Sequence, residues 1–131
     1  MIGIDTSVLV RYLVIDNEDE SAKAASLIDN AARDGEPLFV PHIVLSETAT
    51  VLERAYTVPR DEVCALLRGL VASRQLHIEA PAIVHRAITG YERGRGDLAD
   101  YLIREHARMA GCDAVVTFDR VVLGDPGFTA P

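Results

Sequence analysis

The chain has 131 residues, 49% hydrophobic and 25% charged, which suits one folded domain and excludes an intrinsically disordered chain. Its net charge of −7 argues against a nucleic-acid binder of the usual basic kind. No apolar run reaches the roughly 18 residues of a membrane span, and the N-terminus has no secretory leader pattern, so a cytoplasmic protein is expected.

The predicted elements alternate between short apolar strands and helices. Residues 1–5 read as a short buried strand closed by Asp5, and Thr6 to Leu13 as a helix that follows it directly. Ser21 to Arg33 carries Ala24, Ala25, Leu27, Ile28, Ala31 and Ala32 at helical spacing, with Gly35 as the stop signal. Pro37 to Val40 is a second strand. Pro41 suits the first turn of a helix running to about Tyr56. Pro59 to Glu62 opens another helix that ends near Arg74, and Leu76 to Ile78 is a third strand. Ala82 to Glu92 is helical, Gly94 to Gly96 is a break, and Leu98 to Ala110 is helical up to Gly111. Ala114 to Thr117 is a fourth strand, and the Gly- and Pro-rich tail has room for at most one short edge strand.

This order predicts an α/β fold, a single domain over residues 1–131, with a parallel sheet covered by helices on both faces. Ligands of such sheets bind beyond the carboxyl ends of the strands, where strand order reverses. Five acids stand at the ends of apolar runs: Asp5, Glu47, Asp97, Asp100 and Asp119. Brought together without a cationic side chain, they would be costly unless a divalent cation entered. Setting these five aside leaves 15 acidic against 13 basic residues, which softens the objection to a nucleic-acid ligand. Twelve of those basic residues are Arg, a residue suited to phosphate, although base composition explains most of that bias.

Each acid has a plain structural alternative. Asp5 is a natural helix N-cap. Glu47 lies in the second turn of its helix, where a lone Glu is usually solvated. Asp97 and Asp100 have the spacing of a capping box, with Asp97 at the cap. Asp100 also shares a helix face with Arg104, which would give an exposed ion pair. Asp119 would be a turn residue paired with Arg120; Thr117 could instead offer its hydroxyl to the site. Other chemistry is poorly supported. Cys64 and Cys112 read as reduced thiols without zinc-ligand spacing, and the four histidines share no ligand spacing. There is no Walker loop and no Gly-x-Ser-x-Gly elbow. Arg93 and Arg95 flank the Asp97 helix, with a solvated loop as their default.

Four segments in this order carry a resemblance over nearly the whole chain: Ile4 to Val10, Leu45 to Glu47, Asp97 to Ile103, and Val116 to Arg120. The chain resembles the PIN domain, and within it the VapC-like toxins of toxin–antitoxin pairs. The resemblance implies a three-layer α/β/α sandwich around a central parallel sheet of four to five strands. It places an acidic quartet on Asp5, Glu47, Asp100 and Asp119, with Asp97 as a further acid and Thr6 and Thr117 in support. It implies Mg²⁺ or Mn²⁺, an RNA substrate of the tRNA or rRNA class, a small cognate antitoxin and a homodimer. Tyr101 departs from the small residues frequent at its position, which bears on helix packing.

The activity expected from this resemblance is a metal-dependent endoribonuclease, and three other readings compete with it. A phospho-receiver domain needs a late Lys, and the only Lys is Lys23. A dehalogenase-type phosphatase needs Asp-x-Asp after the first strand, where this chain has Asp5-Thr6-Ser7. An interaction domain with an acidic crevice predicts binding without cleavage.

Overall fold

In the first eighty residues, parallel strand pairing anchors the architecture. The computed structural model describes residues 1–131 and divides them into two units, Met1–Ala80 and Pro81–Pro131. In the first unit, β1 (Leu38–Val40) and β2 (Leu76–Ile78) pair in parallel, Leu38 opposite Leu76 and Val40 opposite Ile78. The N-terminal segment pairs with β1. Ile4 N–H donates to the Phe39 carbonyl at 2.9 Å, and Phe39 N–H donates to the Ile2 carbonyl at 2.8 Å. The strand expected over residues 1–5 is thus a single bridge, Gly3 with Phe39. Side chains alternate across a strand: Leu38, Val40, Leu76 and Ile78 are buried, whereas Phe39 is half-buried and His77 exposed. The Phe39 and His77 rings meet on that second face, centroids 5.9 Å apart.

Four helices complete this unit: α1 (Thr6–Leu13), α2 (Glu18–Asp34), α3 (His42–Arg54) and α4 (Arg60–Ala72). Helix α2 starts three residues earlier than its apolar spacing predicts. Asn17 caps it, its side chain accepting Glu20 N–H at 3.1 Å. Glu18, Asp19 and Glu20 then fill the first turn, where the helix dipole favours negative charge. Gly35, at φ 68°, ends it as the sequence indicates. Helix α3 has Pro41 at its cap position and borrows a distant acceptor: His42 N–H donates to Glu79 at 3.0 Å. Leu9, Leu45, Leu52 and Leu67 are fully buried in the core, and truncating any one of them to alanine costs about 2–5 kcal/mol.

The second unit contains α5 (Pro81–Arg93), α6 (Leu98–Met109), and the parallel pair β3 (Val115–Val116) and β4 (Phe128–Thr129). Strand β3 is shorter than its apolar run predicts, and Val116 is exposed. Helices α5 and α6 meet where glycines make room for Tyr101. A Cβ on Gly90 would lie 2.8 Å from the Tyr101 ring, and a Cβ on Gly94 would lie 1.8 Å from its hydroxyl oxygen. The buried hydroxyl accepts Gly96 N–H at 3.0 Å and donates to Asp125 at 2.5 Å. The large residue at position 101 is therefore accommodated by the missing side chains opposite it. No helix is long and apolar enough to cross a membrane.

Candidate active site

Asp5 and Glu47 belong to the first unit. Asp5 is the N-cap of α1, and it is exposed. Its Oδ1 accepts the Ser7 hydroxyl at 2.6 Å and Val8 N–H at 3.3 Å. The Ser7 hydroxyl and then the Val8 N–H hold the Asp5 carboxyl below its ordinary value. Both bonds fall on Oδ1, so capping does not occupy Oδ2. The capping role and a ligand role are therefore compatible. The hydroxyl that engages Asp5 is that of Ser7, not Thr6, which sits in the first turn of α1. Glu47 is exposed on α3, between the buried pairs Val44–Leu45 and Thr48–Ala49, and it holds no ion pair.

Asp97, Asp100 and Asp119 belong to the second unit. Asp97 occupies the N-cap of α6, and Asp100 the third helical position. Asp100 Oδ2 accepts Asp97 N–H at 2.9 Å, and Asp100 N–H donates to the Asp97 carbonyl at 3.0 Å. Gly96 leaves space for this carboxylate, since a Cβ there would lie 2.8 Å from Asp100 Oδ2. Burial pushes the Asp100 carboxyl above its ordinary value, the Asp97 N–H pulls it back, and the like charges of Asp119 and Asp97 push it up further. No cation relieves it. Arg104, the ion-pair partner that helical spacing suggests, turns elsewhere: it bonds Glu105 at 3.2 Å and the Pro126 carbonyl at 3.1 Å. Asp119 is exposed, and its Oδ1 accepts Val121 N–H at 2.9 Å rather than pairing with Arg120. Thr117 Oγ1 accepts Asp119 N–H at 3.0 Å, so this hydroxyl fixes the turn that carries the acid.

The sequence profile of the PIN domain matches residues 2–123. The chain belongs to the PIN family. It is also 27% identical over 118 residues, 89% of this chain and 86% of the other, to a VapC ribonuclease of Aquifex aeolicus (strain VF5).

All five acids fall inside the PIN match, as do Ser7 and Tyr101. The donor chemistry of this PIN chain fits a hard divalent cation: carboxylate oxygens, with the Asp100 carboxyl pushed toward its neutral form first by burial and then by like charges. Within either unit, no group of three or more His, Cys, Asp or Glu side chains is gathered closely enough to hold a metal as it stands. Two supporting features were not read from the sequence. Ser7 could have been found as a hydroxyl two residues beyond a capping Asp. The bond from Tyr101 to Asp125 spans 24 positions, and its signal is the run of glycines at 90, 94 and 96.

Proposed function

We propose that this PIN-domain protein is an endoribonuclease dependent on Mg²⁺ or Mn²⁺, acting as the toxin of a toxin–antitoxin pair. The observation that carries the reading is Asp100, whose carboxyl is raised first by burial and then by the charges of Asp119 and Asp97, and which has no cationic partner. The proposed ligand set is Asp5, Asp100 and Asp119, with Asp97 as helix cap or second ligand and Glu47 binding metal or orienting the attacking water. A bound divalent ion would supply a water of lowered pKa and offset charge at the scissile phosphate. The chain's own groups prepare for it. Ser7 and Val8 N–H keep Asp5 anionic into acid pH. Thr117 holds the Asp119 turn, and the Asp97 N–H fixes one Asp100 oxygen. The expected products carry 5′-phosphate and 3′-hydroxyl ends.

The finer parts of the proposal follow the family and the relative named VapC ribonuclease. They are one PIN-like domain over 1–131, a three-layer α/β/α sandwich on a parallel sheet of four to five strands, and a homodimer in the cytoplasm. The substrate would be tRNA or an rRNA loop, and a small antitoxin would inhibit cleavage. The test is incubation of purified protein with total RNA and Mg²⁺ or Mn²⁺, beside Asp5→Ala and Asp100→Asn. Metal-dependent cleavage lost in both variants supports the reading. Equal cleavage by all three proteins would sink it. The second reading is a non-catalytic interaction domain, whose exposed Asp5, Glu47 and Asp119 would meet a partner's cationic side chains. It predicts RNA or protein binding with no cleavage under either metal.

A further inference from the structure

A cavity of about 450 Å³ opens in the second unit, and its lining carries more arginines than acids. Its walls are one stripe of α5 and one stripe of α6. Arg86 and Arg93 stand seven residues apart on α5, and Arg104 and Arg108 four apart on α6, so each pair shares a helix face. Four of the twelve arginines of a chain with net charge −7 thus converge on one cavity.

The plain alternative is that these arginines only neutralise acids. Two do so in part. Glu105, 3% exposed, takes Arg104 at 3.2 Å and Arg108 at 3.0 Å. The other acid of the cavity, Asp125, takes the Tyr101 hydroxyl at 2.5 Å. Arg86 and Arg93 are exposed and hold no ion pair. Arg104 is further fixed by lying over two rings, 5.1 Å from the Tyr101 centroid and 5.8 Å from that of Phe128. Two guanidinium groups are therefore held in place, and two are left to meet an anion.

We propose that this cavity is a phosphate subsite for the RNA backbone, with Arg86 and Arg93 as its direct contacts and Arg104 and Arg108 as its fixed positive wall. The identity of the anion rests on the ribonuclease reading; the basic character of the cavity does not. Planar guanidinium groups bind phosphate oxygens in pairs. Tyr101 is fully buried, so its ring offers no open face for base stacking, and the direct contacts proposed here are to phosphate rather than to bases.

The test uses the full chain carrying Asp100→Asn, with Mg²⁺ and a labelled single-stranded RNA, read by fluorescence anisotropy over a salt series. Adding Arg86→Ala and Arg93→Ala should lower the slope of log K against log salt by about 1.4, from about 0.7 per phosphate contact. It should weaken binding roughly 10- to 30-fold near 0.1 M salt. The charge-matched pair Arg33→Ala and Arg74→Ala, in the first unit, should leave the slope unchanged. Alanine is a better helix former than arginine, so α5 tolerates the change at these two exposed positions, and Arg86→Lys with Arg93→Lys should retain most of the slope. Unchanged affinity and slope in the Arg86/Arg93 alanine variant would overturn the subsite. Cleavage of total RNA by wild type is scored separately. Cleavage with an unaltered slope removes the subsite alone, and cavity-dependent binding without cleavage removes the ribonuclease reading alone.

Discussion

Placing a single methyl group on Gly94 should unseat Tyr101 and loosen the approach to α6. A Cβ there would lie 1.8 Å from the Tyr101 hydroxyl oxygen, 2.6 Å from Asp125 Oδ2 and 2.7 Å from Tyr101 Cζ. Tyr101 is 0% exposed, so its ring has no solvent to swing into. Shifting it breaks the bond from Gly96 N–H, at 3.0 Å, which costs roughly 1–3 kcal/mol. Overpacking adds about 1–3 kcal/mol more. A total near 4 kcal/mol is a large share of the roughly 5–15 kcal/mol that holds a domain together. At this chain length it corresponds to a fall in Tm of about 10–15 °C. The assay is thermal unfolding of Gly94→Ala, Tyr101→Phe and the double variant. Removing the hydroxyl relieves the closest of the three contacts, so the double variant should lose at least about 1 kcal/mol less than the two single losses combined. The reasoning is refuted by a Gly94→Ala protein within about 0.5 kcal/mol of wild type, or by strictly additive losses.

Three further outcomes follow from individual groups. Asp100 has a raised carboxyl, so its contribution to stability is fully present below its unfolded value and is lost as pH rises through its folded value. Asp100→Asn keeps an acceptor for Asp97 N–H and removes the charge. In EDTA at neutral pH it should be about 0.5 kcal/mol or more stabler than wild type by urea unfolding, with the gap closing at low pH; a destabilised variant would contradict this. Asp5 has the opposite sign. Its depressed carboxyl contributes above its unfolded value, and that contribution is lost as pH falls through the folded value. Ser7→Ala removes the largest cause of the depression, so the acid limb of the cleavage–pH profile should move to higher pH; an unmoved limb would show that Ser7 does not tune the site. Glu105→Ala strands Arg104, whose side chain is 12% exposed, and Arg108, which is 58% exposed and can turn to water. The loss by urea unfolding should lie near the lower end of about 3–5 kcal/mol, and a loss under about 1 kcal/mol would mean the pair carries little.

Local signals made much of this fold legible. Helix stops were readable because glycine alone adopts their backbone cheaply: Gly35 at φ 68° and Gly111 at φ 95° follow α2 and α6 closely. The start of α2 was missed because its first turn is polar. Asn17 and three acids signal capping and charge rather than apolar periodicity. Strand lengths were overread, since Val115–Val116 is apolar enough for a longer strand yet only two residues find a partner. The five acids could be picked out as residues, but their partners could not. The pairing of Asp100 with Arg104 looked natural at helical spacing and is absent, because Arg104 has Glu105, Pro126 and two rings as alternatives. Long-range partners such as Asp125 for Tyr101, or Glu79 for the start of α3, lie 24 and 37 positions away and leave no trace in spacing.

The most direct test of the ribonuclease account is cleavage of an end-labelled RNA by wild type and by Asp100→Asn, with Mg²⁺, with Mn²⁺ and with EDTA. The account predicts metal-dependent cleavage by wild type, 5′-phosphate and 3′-hydroxyl products, and loss of activity in the folded variant. Cleavage that persists in EDTA, or that Asp100→Asn retains at the wild-type rate, would contradict it.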